Sequence, residues 1–293
     1  MANLKEVRVR ITSVNSTQQI TKAMKMVSAA KLRRAQDAIV QMRPYASKLK
    51  EILENVAESV DASGSGVFAS VRPENKVLVI PVTSNRGLAG AFNANIIRTV
   101  NKMMSDTYKE QVKNDNFKIL CIGKKGSDFF SKNQSCYLNN HNNLFNELNF
   151  NNVAVVAEEV MKEFAAGNFD KVVVVYNQFK NAAVQYVITE QLLPITPPAK
   201  KEKSKVTNDY IFEPSQEAIV LDLIPKSIKT QLYKAVLDSY ASEHGARMTA
   251  MSKATDNAGE LIKALKLQYN KARQAAITNE ILEIVAGAEA LNG

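Results

Sequence analysis

Two glycine-containing segments are the first places in this sequence to search for phosphate-binding chemistry. The segment TSNRGLAGAFN, residues 83–93, follows an apolar run and places Gly87 and Gly90 before a helical stretch. The segment GKKGSDFF, residues 123–130, has a similar composition. Backbone amides at such a turn could hold a phosphate, but both segments lack the GxGxxG and GxxxxGK[ST] spacings. We therefore expect tight strand-to-helix turns, in which glycine supplies unusual backbone angles.

Histidine, cysteine and carboxylate residues give no sign of a catalytic or metal-binding group. His141 and His244 are isolated, and Cys121 and Cys136, the two cysteines, form no CxxC pair and no zinc spacing. Cys121 lies within the apolar run KILCIG, so we expect it to be buried in a strand. Since no acid and base pair is apparent either, we expect neither an enzyme acting alone nor a cofactor.

The charge balance favours an acidic partner of some kind. The chain carries a formal net charge of +9 and a pI near 9.3, which suits nucleic acid, an anionic membrane surface or an acidic protein face. A nucleic-acid binder is disfavoured because the sequence has no Trp and no basic residues interleaved with aromatic ones. A membrane-surface protein is disfavoured because the apolar helical stripes are narrow and rich in alanine.

The compartment is indicated by two further properties of the sequence. The N-terminus, MANLKEVRVRI, has no apolar signal core. No apolar run approaches the length of a membrane-spanning helix. We expect a protein on the cytoplasmic side of a membrane.

Both ends of the chain have the pattern of unusually long helices. In the first sixty residues the only proline is Pro44, which we expect to kink the helix or mark a join, and glycine is absent. The seam expected for the N-terminal helix is Leu4, Val7, Ile11, Val14 and Gln18, then, after a shift in register, Ile20, Met24 and Val27. The seam expected for the C-terminal helix is Ala258, Leu261, Leu265, Gln268, Ala272 and Ala275, then Ile277, Ile281, Ile284 and Ala288. Two long helices with narrow stripes predict an antiparallel coiled coil.

Between these helices the periodicity changes to that of strands. Four apolar runs predict strands, at 76–82, 118–123, 171–177 and 185–194, and three stretches between them predict helices, at 93–113, 124–132 and 152–166. Alternating strands and helices indicate a parallel-type, Rossmann-like α/β domain. The predicted organisation is an N-terminal coiled-coil helix at 1–61, a central α/β domain at 70–197 and a C-terminal helical region at 206–293.

Several long motifs resemble the gamma-subunit family of F-type ATP synthases. The C-terminal segment ITNEILEIVAGAEA, residues 277–290, matches the family signature, and VRVRITSVNSTQQITKAMKMVSAAKLRRAQ, residues 7–36, is similar to its N-terminal helix. PVTSNRGLAGAFN, residues 81–93, resembles the central-domain motif. ARMTAMSKATDNA, residues 246–258, and LQYNKARQAAIT, residues 267–278, resemble the C-terminal helix. The matches occur in the family's order and extend over nearly the whole chain.

This resemblance implies a mechanical function. The family's gamma subunit is the central rotor shaft of the enzyme, and its paired helices stand inside a ring of alpha and beta subunits. Its body lies on the membrane rotor ring of c subunits, beside the epsilon subunit. The implied partners are therefore alpha, beta, epsilon and the c ring, without nucleic acid, and contact with the membrane is indirect. The implied location is the cytoplasmic face of a bacterial membrane, as a peripheral and non-catalytic subunit that couples ion flow to ATP synthesis or hydrolysis.

The resemblance also assigns roles to individual residues. The positions expected to contact the beta catch and lever loops, or to take part in coupling and helix packing, are Met24, Lys25, Arg247, Arg273, Gln274, Thr278 and Glu280. Those expected to contact the rotor ring or epsilon lie in DYIFEP, residues 209–214, and are Tyr210, Phe212 and Glu213. One departure concerns the central motif, which has Asn85 where the family commonly has an acidic residue.

Overall fold

The structure is a computed structural model, and it describes residues 4–57, 67–68, 70, 72–132, 136–195 and 216–292. The chain divides into two compact units. The first, here called the stalk unit, combines Met1–Ala29 with Arg247–Gly293, and the second, the body unit, is Ala30–Ala246. Each unit is described separately below.

The order of helices and strands agrees with the expected pattern of long terminal helices around a central sheet. The elements are α1 (Leu4–Ala57), β1 (Val77–Pro81), α2 (Phe92–Lys102), a π-helical turn (Met103–Thr107), α3 (Lys109–Lys113), β2 (Phe117–Cys121), α4 (Lys124–Phe130), β3 (Tyr137–Asn140), a 3₁₀ turn (Asn142–Phe145), α5 (Phe150–Ala165), β4 (Lys171–Phe179), β5 (Gln185–Leu193) and α6 (Gln216–Asn292). Pro44 lies inside α1 and Pro225 inside α6, so neither proline ends its helix.

The body unit contains a five-stranded mixed sheet in the order β3-β2-β1-β4-β5. β1 pairs in parallel with β2 and with β4, and β2 pairs in parallel with β3. β5 pairs antiparallel with β4, as expected for two strands joined by a short hairpin. All four strands predicted from the sequence are present. β3 is a fifth strand that the sequence did not indicate, because its four residues, YLNN, are mostly polar.

The sheet is covered on both faces, which explains its continuous apolar strands. Successive residues of β1 point to opposite faces, so Leu78 and Ile80 enter one hydrophobic core while Val77 and Val79 enter the other. The first core contains the buried residues of α5 and the part of α6 from Ile224 to Val236. The second contains the buried residues of α2. The body is therefore a three-layer α/β structure in which α6 itself forms part of a covering layer.

The stalk unit is an antiparallel pair formed by α1 and α6. Arg8 contacts Tyr269 and Lys25 contacts Ser252, so the residue numbers rise along one helix as they fall along the other. The first part of the predicted α1 seam is confirmed, because Val7 is buried and Leu4, Ile11, Val14 and Gln18 are partly buried. The apolar stripe of α1 therefore faces α6, as two long amphipathic helices require.

The predicted shift of the α1 seam after Gln18 is wrong for Ile20 and Val27, although Met24 is partly buried as expected. Ile20 and Val27 are 60% and 58% exposed, whereas Thr21 and Ser28 are 8% and 2% exposed. The regular 3-4 spacing continues through these two hydroxyl residues. The larger apolar side chains of Ile20 and Val27 favoured the shifted seam, although small hydroxyl side chains can occupy a seam when they find hydrogen-bond partners.

The predicted α6 seam is displaced by one residue at several positions. Ala258 and Leu265 are buried as expected, but Leu261, Gln268 and Ala275 are exposed, whereas the residues that follow them, Ile262, Tyr269 and Ala276, are partly buried. The observed seam keeps heptad spacing, with Met251, Thr255, Ala258, Ile262, Leu265, Tyr269, Ala272 and Ala276. Tyr269 places its ring in the seam, where the sequence analysis had placed Gln268.

Candidate functional site

The carboxyl ends of β1 and β2 are closed by hydrogen bonds within the body unit. Three successive backbone amides at the start of α4 each have an acceptor from the loop after β1. Lys124 N donates to Asn85 Oδ1 at 2.9 Å, Lys125 N to Ser84 O at 3.0 Å, and Gly126 N to Thr83 Oγ1 at 2.9 Å. These are the amides that a phosphate at a helix start would use. They bind oxygen atoms of the chain instead.

Two glycines allow this close approach. Gly123 has φ +106°, and a Cβ atom at this position would lie 2.1 Å from the Thr83 carbonyl oxygen. A Cβ atom on Gly126 would lie 2.8 Å from Thr83 Oγ1. Gly90 also has a positive φ, of +59°. The expectation that these glycines form tight turns is confirmed for Gly90 and Gly123.

The crevice between β1 and β4 is filled by α6. The strand order changes direction between these two strands, and doubly wound folds commonly bind ligands at that point. Here the buried Ser239 hydroxyl donates to the carbonyl of Val82 at 3.2 Å, and the buried Ser242 hydroxyl donates to that of Asn177 at 2.9 Å. A Cβ atom on Gly245 would lie 3.2 Å from Ala182 Cα. The helix therefore occupies the position in which such a fold usually receives a small molecule.

The histidines and Cys121 lie in structural contacts. His141 Nε2 is 3.1 Å from Glu159 Oε2, and the ring of His244 stands edge-on to Tyr240 with 4.5 Å between centroids. Cys121 is buried within β2, which confirms the expectation of a buried strand cysteine, and this burial raises the pKa of its thiol to about 12. Among the described residues, no group of three His, Cys, Asp or Glu side chains is placed to hold a metal ion.

The seam of the stalk unit contains a layer of hydrogen-bonded polar side chains. The hydroxyl oxygens of Thr21 and Thr255 are 2.8 Å apart, and Gln18 Nε2 donates to the Thr255 carbonyl at 3.3 Å. Lys25, one of the predicted contact residues, donates from Nζ to Ser252 Oγ at 3.0 Å while remaining exposed. Its neighbour Met24 is partly buried. The structure therefore gives Lys25 a contact within the chain and a solvent-exposed charge.

Four of the predicted partner-binding residues lie close together on the last third of α6. Arg273, Gln274, Thr278 and Glu280 are all exposed. The Thr278 hydroxyl donates to the Gln274 carbonyl one turn earlier, at 2.9 Å. Arg247 differs from this group because it is buried, with 6% exposure. Burial suits the helix-packing role that the resemblance also allows for Arg247.

The end of α6 is an exposed helix with apolar side chains. Every residue from 277 to 290 is exposed. Ile277, Ile281 and Ile284, which were expected to continue the seam, are 48%, 54% and 71% exposed, so that part of the prediction is wrong for the isolated chain. A Cβ atom on Gly287 would meet no atom within 4 Å. Solvent-exposed apolar side chains in such a series indicate an interaction surface.

Hydroxyl groups on the outer face of α1 donate back to their own helix. Thr12 donates to the carbonyl of Arg8, Ser16 to that of Thr12, and Thr17 to that of Ser13, with distances of 3.0 to 3.2 Å. All three side chains belong to exposed residues. Such bonds to the preceding turn satisfy the hydroxyl donor locally.

One contact of the stalk unit was missed by the sequence analysis. Arg8 Nη2 donates to Tyr269 Oη at 3.1 Å, and Arg8 Cζ lies 5.8 Å from the centroid of the Tyr269 ring. The two residues are 261 positions apart in the sequence, so no local spacing indicates the contact. Only the register of the two helices brings them together.

The remaining predicted contact residues, Tyr210, Phe212 and Glu213, lie outside the described residues. In the described part of the chain, no helix combines the length and the apolar character that crossing a membrane requires.

Comparison with known proteins gives consistent full-length matches. A family model described as ATP synthase matches residues 3–291. The ATP synthase gamma chain of Flavobacterium johnsoniae is 59% identical over 293 residues, and that of Flavobacterium psychrophilum is 60% identical over the same length, each with complete coverage of both chains. The ATP synthase gamma chain of Chlorobium phaeobacteroides is 49% identical over 294 residues, again with complete coverage.

Solved structures show the same fold. A chain of the Tetrahymena thermophila mitochondrial ATP synthase central stalk and c ring is 28% identical, with a TM-score of 0.59, and the match covers 80% of this chain and 99% of that one. A chain of the Euglena gracilis mitochondrial ATP synthase is 23% identical, with a TM-score of 0.67 and coverage of 98% and 94%. The second likeness concerns the fold alone.

Proposed function

Since this chain belongs to the ATP synthase gamma-chain family, we propose that it is the central-stalk rotor subunit of such an enzyme. In this role it transmits rotation driven by an ion gradient to a ring of alpha and beta subunits, and so couples ion translocation to ATP synthesis or hydrolysis. The chain acts as a non-catalytic subunit. Its further partners are the epsilon subunit and the c ring, and it acts at the cytoplasmic face of a bacterial membrane.

The observation that carries this proposal is the exposed end of α6 beyond the two-helix seam. Residues 277–290 are all exposed, and their apolar side chains suit a surrounding protein surface. A rotor must also contact its neighbours unequally, because a partner shifts an equilibrium only through differential contacts with its states. The exposed Arg273 offers a planar cation that can hold a carboxylate through two hydrogen bonds.

Two features of the body unit support a non-catalytic role. The first amides of α4 bind Thr83, Ser84 and Asn85, which removes them from phosphate binding. Ser239 and Ser242 of α6 occupy the crevice between β1 and β4. The body therefore serves better as a rigid holder of α6 than as a nucleotide-binding domain.

Copurification tests the proposal. We expect the tagged chain, expressed in its own cells at native level, to bring down alpha, beta and epsilon subunits in a complex that hydrolyses ATP. Recovery of the chain alone, or with nucleic acid that survives high salt, would contradict the rotor function and favour the nucleic-acid alternative. Recovery on vesicles of anionic lipid, without alpha and beta subunits, would favour the membrane-surface alternative.

A further inference from the structure

Arg8 holds Tyr269 through two different parts of the tyrosine side chain. Its guanidinium donates a hydrogen bond of 3.1 Å to the hydroxyl and lies 5.8 Å from the ring centroid. The first contact fixes the tip of the side chain, and the second uses the negative face of the ring, which attracts cations. Tyr269 is therefore already paired with a cation from the opposite helix.

Arg273 is a second cation with access to the same ring. It follows Tyr269 by four residues on α6, so the two side chains lie on the same face of the helix. Long side chains in a helix lean toward its N-terminus, which directs Arg273 toward Tyr269. Within the described part of the chain, Arg273 is exposed and has no hydrogen bond, ion pair or ring contact. Of the two arginines that can reach the Tyr269 ring, Arg273 is therefore the one whose charge remains available to another protein.

We propose that Arg8 keeps Arg273 available to a partner by occupying Tyr269. A second guanidinium at the same ring would meet the charge of the first, and like charges repel at short distance. Without Arg8, the Arg273 side chain folds back onto the Tyr269 ring and no longer extends outward. Arg8 and Tyr269 are thus positioning residues for Arg273. The competition for the ring is a property of the isolated chain, whereas its role in coupling rests on the proposed rotor function.

The competition can be measured in the full-length chain alone. Nuclear magnetic resonance of arginine-labelled protein reports whether the Arg273 Nε–H group lies over an aromatic ring, through its ring-current shift. We expect an upfield shift of this signal in Arg8→Ala and its return toward the wild-type position in Arg8→Ala/Tyr269→Leu. An unchanged Arg273 signal in Arg8→Ala would overturn the proposal. Arg10→Ala is the matched control, since it removes an exposed arginine two residues away.

The role in coupling is tested in complexes reconstituted with alpha and beta subunits. We expect Arg8→Ala to lower ATP hydrolysis about two- to fivefold, which is the range of one exposed cation–π contact. Removing the ring as well, in Arg8→Ala/Tyr269→Leu, should restore part of the lost activity because Arg273 is released. If Arg8 and Tyr269 only fastened the two helices, the double variant would be no more active than Arg8→Ala, and that result would overturn the proposal.

The two measurements also separate this inference from the proposed function. If the wild-type chain did not assemble with alpha and beta subunits, the rotor function would fail while the resonance experiment still decided the competition for Tyr269. If assembly succeeded and the Arg273 signal did not move, the rotor function would stand and the positioning role of Arg8 would be excluded.

Discussion

Asn85 Oδ1 accepts a hydrogen bond of 2.9 Å from the backbone amide of Lys124, the first residue of α4. The same side chain donates from Nδ2 to the carbonyl of Asn142 at 2.7 Å. One amide group thus joins the loop after β1 to the segments that follow β2 and β3. Both the oxygen and the nitrogen of the Asn85 amide are required, because the Lys124 partner is an N–H donor and the Asn142 partner is a carbonyl acceptor.

Because the Asn85 side chain makes these two hydrogen bonds, we predict that Asn85→Asp destabilises the body unit. A carboxylate keeps the acceptor for Lys124 but loses the donor, and it brings a negative charge close to the Asn142 carbonyl. We expect a loss of about 1–3 kcal/mol in the free energy of unfolding, measured by urea denaturation. Asn257→Asp, at an exposed helical position, serves as the control. Equal stability of the two variants would show that the bond to Asn142 contributes nothing.

The two hydrogen bonds of the Asn85 side chain explain why the departure from the family pattern at this position could not be interpreted from the sequence. The sequence shows an amide where an acidic residue is common, but the partners of that amide lie 39 and 57 positions away. The choice between amide and carboxylate depends on whether the second partner is a donor or an acceptor. Only the folded structure supplies that information.

Gly123→Ala is predicted to prevent normal folding of the body unit. The new Cβ atom would lie 2.1 Å from the Thr83 carbonyl oxygen, and the residue would have to adopt φ +106°. We expect a loss of at least about 3 kcal/mol in the free energy of unfolding, or no soluble protein. Gly87→Ala is the matched control, because its nearest neighbour is Lys125 Cε at 3.8 Å. A stable Gly123→Ala chain with native circular dichroism would mean that the two loops are farther apart than described.

Cys121 is predicted to resist alkylation while the chain is folded. Burial raises the pKa of its thiol from 9.0 to about 12, which lowers the thiolate fraction at pH 8 by about a thousandfold. Iodoacetamide labelling, followed peptide by peptide with mass spectrometry, should therefore be slower in the native chain than in urea, by a factor on the order of a thousand. Labelling of Cys121 at similar rates in both conditions would contradict its burial in β2.

The raised pKa of the Cys121 thiol also predicts the direction in which the stability of the chain changes with pH. The folded chain holds the Cys121 proton more tightly than the unfolded chain does, so this contribution to stability is fully present below pH 9.0. It decreases as the pH rises from there toward about 12. We expect Cys121→Ala to lose less stability than the wild type between pH 8 and about 10, measured by urea denaturation. If the free energy of unfolding changed with pH in the same way in Cys121→Ala and in the wild type, a contribution of the Cys121 proton to stability would be excluded.

The double substitution Arg273→Ala/Gln274→Ala is predicted to impair the assembled complex without impairing the fold. Both side chains are exposed, so the thermal unfolding of the isolated chain should be unchanged. We expect ATP hydrolysis by the complex with alpha and beta subunits to fall about fivefold or more, in the range of a typical coupling energy. The neighbouring pair Asn270→Ala/Lys271→Ala removes one amide and one cation as a control. If both pairs had the same effect, a specific contact at Arg273 and Gln274 would be excluded.

Elements with many apolar residues could be predicted from the sequence more readily than elements held by polar contacts. β1, β2 and β4 were found because each is a dense run of buried residues, and β3 was missed because backbone pairing with β2, rather than apolar side chains, holds its polar residues. The terminal helices were found from their length. Their register was partly missed because two hydroxyl residues, Thr21 and Ser28, are buried in the seam, and Thr21 lies 2.8 Å from the Thr255 hydroxyl there.

The candidate contact residues show a different limit. The exposure of Arg273, Gln274, Thr278 and Glu280 agrees with a surface role. Arg273 and Gln274 lie between the seam residues Ala272 and Ala276, whereas Thr278 and Glu280 lie beyond the last seam residue, so their exposure depends on the register of α6 against α1 and on where the pairing ends. That point depends on the alignment of two helices whose contacts join residues more than 200 positions apart. Local spacing carries no information about such an alignment, so Tyr269 and its pairing with Arg8 could not be foreseen.

The hydroxyl groups on the outer face of α1 have a consequence for friction. A surface that slides past another loses free energy as heat whenever transient hydrogen bonds form and break. Thr12, Ser16 and Thr17 direct their protons to their own backbone, as Thr278 does on α6, so these groups offer a passing surface no ready donor. For a chain that turns within a ring of subunits, we therefore expect these four hydroxyl groups to form few transient hydrogen bonds with the surrounding surface. We expect their contribution to the drag on each step to be correspondingly small.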